Sequence, residues 1–138
     1  MRELILLRVI ARLLIPFILM FAFYVQFHGD FGPGGGFQAG VIFAVAFILY
    51  GLLYGIDTAS KVVPGWLVRW GLAAGVLLFG GTGVAGLLLN GEYLNYSVLR
   101  DNPVEGQHLG IILVELGVGL TVASAMVLIF FSFARYGR

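Results

Sequence analysis

Cysteine is absent from this chain, which removes a disulfide framework, a thiolate metal centre and a cysteine nucleophile together. Charge is nearly as scarce. Only 11% of the 138 residues are charged, where a soluble domain carries about 25%. A net charge of +1 gives a nucleic acid nothing to bind, and no basic patch is interleaved with exposed aromatics. There are only two histidines, His28 and His108, far apart in the sequence, so no metal site is expected. No Ser/His/Asp constellation is suggested, and Gly34-Gly35-Gly36 does not follow a strand in a βαβ unit, so a phosphate or dinucleotide loop is excluded. No catalytic residue and no cofactor are expected. The chain does not read as an enzyme.

What remains is apolar. Hydrophobic residues make up 60% of the chain and the mean hydropathy is +1.01, the balance of a protein whose solvent is lipid. The expected fold is an all-α integral membrane protein, one domain over 1–138 with four transmembrane helices at about 4–27, 35–56, 66–90 and 107–133. Each exceeds the ~20 residues needed to cross a bilayer core. The first carries Arg8 and Arg12 one turn apart, placed to snorkel toward headgroups, and Pro16, expected to kink it or to mark where its buried part begins. It is too long for a signal peptide, and Phe21-Ala22-Phe23-Tyr24 offers no cleavage site. The third is rich in small residues. Gly71-x-x-x-Gly75 has helix-packing spacing, as does Gly119-x-x-x-Ala123 in the fourth, so both should lie against neighbouring helices, in this chain or another.

Basic residues set the orientation. Arg2, Arg8, Arg12, Lys61, Arg69, Arg135 and Arg138 fall on one side of this topology and only Arg100 on the other, so both termini are expected in the cytoplasm. The Gly29–Gly36 turn and the loop at about 91–106 then face outward.

Within the spans one ionisable residue stands out. Glu115 is expected about seven residues into the fourth helix, roughly 10 Å below its outer end. At that depth a carboxylate costs at least ~2.5 kcal/mol unless paired, protonated or wetted. Two readings follow: a protonated carboxyl hydrogen-bonded to a neighbouring helix, or a group that handles protons or cations. His108, two turns before it on the same face, is a companion for that path or an interfacial residue. His28 and Asp30, near the outer surface, are further path candidates, or simply make local backbone hydrogen bonds.

The most unusual stretch is His28-Gly29-Asp30-Phe31-Gly32-Pro33-Gly34-Gly35-Gly36-Phe37-Gln38-Ala39-Gly40, six glycines in thirteen positions. Read from its residues it is a sterically stripped turn between two membrane helices. Together with Phe21-x-Phe23-Tyr24 before it, it resembles the signature of the MnhB/MrpB family, the B subunits of Mrp-type multisubunit sodium/proton antiporters, over the whole chain. Gly29, Pro33, Gly34, Gly35, Gly36, Phe37 and Gly40 carry the likeness. The family commonly has Gly-His where this chain has Gly29-Asp30, and Gly-Gly where it has Ala39-Gly40.

The resemblance implies a small non-catalytic subunit of a hetero-oligomeric complex in a prokaryotic cell (inner) membrane. Its partners would be large antiporter-like subunits, resembling the membrane arm of respiratory complex I, with Na⁺ and H⁺ as the transported ions. Two alternatives share the same sequence features: a subunit of the ion-translocating module of a membrane-bound hydrogenase or related redox complex, and a purely structural scaffold.

Overall fold

A computed structural model describes residues 2–28 and 35–137. Its elements are helices α1 (Arg2–His28), α2 (Gly36–Tyr54), the short α3 (Ile56–Val62), α4 (Gly65–Leu88) and α5 (Pro103–Tyr136), with a 3₁₀ turn at Tyr96–Leu99 before α5. No strand occurs among the described residues. α1, α2, α4 and α5 are long and apolar enough to cross a membrane.

The helix ends differ from the sequence expectation for local physical reasons. The second helix stops at Tyr54 because Gly55 adopts φ 93° and ψ 154°, a region open essentially only to glycine. The expected loop after it is instead α3, with Asp57 in its first turn and Lys61 in its last, each charge complementing the helix dipole. α4 closes in a Schellman motif. Asn90 takes φ 65°, its N–H donates to the Leu87 carbonyl, and the Gly91 N–H donates to the Gly86 carbonyl. α5 begins four residues before the expected 107, because the Asn102 side chain accepts from the Val104 N–H at 3.0 Å and Pro103 fills the first helical position. α1 runs unbroken through Pro16.

α5 is the centre of the bundle. It packs on α4 along one flank and α2 along the other, and α1 lies against α2 with a slighter touch on α5. The α4–α5 contact is made at small residues. A methyl group added to Gly71 would meet Ser124 Oγ at 2.6 Å, and one added to Gly75 would meet the Gly117 carbonyl at 2.8 Å as well as Thr121. Such spacing lets backbones approach where lipid offers no hydrophobic drive for association. Gly80 and Gly81 face open space instead, so the glycine cluster of α4 is used for packing along only part of its length.

The core is small and sits at one end. Ala44, Ile56, Ala59, Val68, Val127 and Phe131 form it, where α3 is folded in between the long helices. At this end Arg8 reaches the end of α2 and the Phe130 ring lies against Gly51, so α1 begins where α2 and α5 finish. At the other end the segment 89–102 folds back on the bundle. The Tyr93 ring covers Gly83, the Tyr96 ring covers Gly110, and Gln107 donates from Nε2 to Ser97 Oγ at 2.7 Å. Leu4 to Phe27 of α1 present many exposed large apolar side chains, as a lipid-facing helix does.

Candidate functional site

The site is built where α2 starts. Gly35 adopts φ 136° and ψ 178° as the residue before the helix, again a glycine conformation. Its N–H donates to the Val25 carbonyl of α1 at 3.3 Å, tying the start of α2 to the end of α1. The next residue has no room for a side chain: a Cβ on Gly36 would clash with the Glu115 carbonyl oxygen of α5, with the Glu115 carbonyl carbon at 2.9 Å. One turn on, a Cβ on Gly40 would lie 2.7 Å from the Gly119 carbonyl oxygen and 2.9 Å from Val122 Cβ. From the opposing side, a Cβ on Gly119 would lie 2.6 Å from Gln26 Oε1 and 3.2 Å from the Gly36 carbonyl. α2 and α5 therefore meet backbone to backbone here, and α1 joins them through Gln26, only 8% exposed between them.

Glu115 belongs to this knot. It is half-buried, and its Oε1 is 3.6 Å from the position of a Cβ on Gly35, where Gln38 Oε1 also approaches, at 3.3 Å. The carboxylate thus lies beside the first turn of α2. The leading N–H groups of a helix have no carbonyl four residues back, and the helix dipole is positive there, so the location is complementary to a carboxylate. Above Gly119 a groove of about 260 Å³ opens between α1, α2 and α4 over α5, with Gln26 the one polar side chain on its walls.

The other candidates fall in several places. His108 is exposed, about 10 Å up α5 from Glu115 at 1.5 Å per residue. His28 is half-buried and stacked on Tyr24, ring centroids 5.1 Å apart and planes 13° apart. Phe37 is exposed, one residue beyond the tight contact at Gly36. Gly71 and Gly75 meet α5, and Ala123 is buried on α5 beside the groove. Gly29, Asp30, Pro33 and Gly34 lie outside the described residues. No group of three or more metal-ligating side chains occurs among those described. Sequence reasoning passed over Gln26, although a lone amide in an otherwise apolar run was signal enough. Tyr54, one of the aromatics that the sequence clusters near span ends, is engaged by both Arg8 and Arg12, a pairing the sequence does not show.

The arrangement has relatives. Residues 6–128 match the family model described as a domain related to the MnhB subunit of Na⁺/H⁺ antiporters. The chain belongs to the MnhB family. Within that family it is 33% identical over 128 residues to the Na⁺/H⁺ antiporter's B subunit from Alkalihalophilus pseudofirmus, covering 86% of this chain and 88% of the relative. It is also 33% identical over 129 residues to a protein assigned as antiporter subunit mnhB2 in Staphylococcus aureus strain Newman, covering 91% of each. As an MnhB protein with four apolar helices, it is a multi-pass protein of a prokaryotic cell membrane.

Proposed function

We propose that this MnhB chain is the non-catalytic B subunit of a multisubunit Mrp-type Na⁺/H⁺ antiporter, with both termini cytoplasmic. It packs beside large antiporter-like subunits and contributes Glu115 to the path of Na⁺ or protons. The observation that carries the assignment is the family match across residues 6–128. What favours Glu115 is its placement. The glycines through which the chain resembles its family, Gly35, Gly36 and Gly40, are those that seat α2 on α5 around that carboxylate. A carboxylate can accept and release a proton or coordinate a cation. Gln38 Oε1 adds a second oxygen close by. His108, nearer the start of α5, is the companion, and His28 and Asp30, which precede α2 in sequence, are further candidates.

Two measurements test this. Purification of the tagged chain from native membranes in mild detergent should recover large antiporter-like subunits with no hydrogenase arm; recovery of none would sink the assignment. In the assembled complex, Glu115→Gln should lower Na⁺/H⁺ exchange in everted vesicles and change its pH dependence. Unchanged exchange with intact assembly would make Glu115 a packing residue and this chain purely a scaffold.

A further inference from the structure

At the opposite end of the chain from Glu115, two arginines converge on one tyrosine. Arg8 and Arg12 are a turn apart on α1, so their side chains share one face of the helix. Both guanidinium carbons lie 5.8 Å from the centroid of the Tyr54 ring. Two hydrogen bonds hold Arg8 to the end of α2. Arg8 Nε donates to the Leu53 carbonyl at 3.1 Å, and the Tyr54 hydroxyl donates to the Arg8 carbonyl at 3.1 Å. The first satisfies a carbonyl in the last turn of α2, which has no partner within its own helix.

Neither arginine forms an ion pair with another described residue. Arg8 spends one of its five N–H donors on Leu53, and Arg12 donates no hydrogen bond to any described residue. The one ion pair between described residues, Arg100 with Glu105, is at the far end of the bundle. Two cations gathered around one ring repel, and more strongly as the dielectric falls toward the bilayer. Tyr54 ends α2 and Tyr50 stacks on it at 4.7 Å, a pairing suited to the membrane–water interface. Both arginine heads are exposed, with guanidinium forks whose geometry matches phosphate oxygens.

We propose that Arg8 and Arg12, gathered on the Tyr54 ring, bind the phosphate group of an anionic phospholipid. The lipid phosphate neutralises the pair, and its acyl chains lie along the exposed apolar surface of α1. The site is separate from Glu115 and does not depend on the antiporter assignment, because it is read on the purified chain.

The test is native mass spectrometry of the full chain in dodecylmaltoside with equimolar phosphatidylglycerol and phosphatidylcholine. Phosphatidylglycerol should be retained preferentially. Arg8→Gln with Arg12→Gln should lower its occupancy about twenty-fivefold, roughly fivefold for each arginine, and leave phosphatidylcholine unchanged. Arg12→Gln alone, which removes no hydrogen bond to a described residue, should give roughly fivefold even if the double variant misfolds. Tyr54→Phe, which keeps the ring, should retain the preference. Equal phosphatidylglycerol retention by Arg12→Gln and the unaltered chain would overturn the proposal. So would displacement of the lipid by millimolar inorganic phosphate, which would mark a small-anion site. Loss of co-purifying subunits from the Arg12→Gln complex with lipid retention unchanged would assign the arginines to a partner's carboxylate, and would overturn it too.

Discussion

Alanine at Gly36 tests the central contact of the bundle. The new methyl group would fall on the Glu115 carbonyl oxygen, with the Glu115 carbonyl carbon and Cα at 2.9 and 3.0 Å. None of these atoms can rotate aside as a side chain can, so α2 has to move off α5 along the turn that also carries Gly40 and Gly119. Overpacking a tight site costs typically 1–3 kcal/mol, and a backbone obstacle puts this case near ~3 kcal/mol. Alanine returns up to ~1 kcal/mol through its better helix propensity, leaving a net loss of about 2 kcal/mol. Gly80→Ala is the matched control. It lies in the interior of α4, and a methyl group there would have nothing within 4 Å, so only the propensity gain applies, up to ~1 kcal/mol. The two variants should therefore differ by about 3 kcal/mol in unfolding free energy, measured by SDS titration of the purified chain in dodecylmaltoside micelles. If they agree within ~0.5 kcal/mol, the usual scatter of neutral surface changes, α2 does not sit on α5 as described.

Three smaller perturbations isolate single causes. Gly55→Ala meets nothing within 4 Å, so its cost is backbone strain alone, of order 2 kcal/mol in the same titration; a neutral result would mean that α2 runs on into α3. Asn102→Ala removes the cap of α5 and should cost about 1 kcal/mol, with faster amide exchange at Val104; unchanged exchange there would show that the cap is not formed. Gly110→Ala pushes against the Tyr96 ring and should expose segment 89–102 to limited proteolysis, whereas Gly81→Ala, open on its outer face, should not.

The four spans were legible because lipid imposes one rule on them: about 20 apolar residues with every backbone group bonded internally. The ends were less legible, because they depend on capping chemistry that a hydropathy pattern does not contain. Asn102, Pro103 and Gly55 do carry that information, and they account for the early start of α5 and the early end of α2. Glu115 could be singled out as a rare intramembrane carboxylate and Gly35–Gly36 as a rare turn. That they touch could not be read, because residues nearly eighty positions apart are joined only by the order in which α1, α2, α5 and α4 pack. Gln26 shows the same gap. Its place in an apolar run was visible in the sequence, but the groove it faces is closed only by residues of three further helices.

The packing also changes what the depth of Glu115 means. Measured along its own helix, it lies about 18 Å from Pro103 at 1.5 Å per residue, deeper than the sequence suggested. Measured across the bundle, it is level with Gly36, the first residue of α2, and α2 at 19 residues is about 28 Å long, close to the ~30 Å of bilayer hydrocarbon. α1 ends and α2 starts near this level, while α4 and α5 rise beyond it; the segment 89–102 that joins them carries Glu92, Arg100 and Asp101, and the first turns of α5 carry Glu105 and His108. A hydrocarbon layer matched to α2 therefore has Glu115 near the boundary at which α2 starts, beside the positive end of a helix, rather than stranded within it. Burial cost alone then no longer demands an ion-handling role, because the start of α2 already offers the carboxylate a favourable setting. Glu115→Gln is the decisive change for this reason: it preserves the shape that packs against Gly35 and Gly36 and removes only the ionisable group. A packing role survives that substitution, and an ion-path role does not.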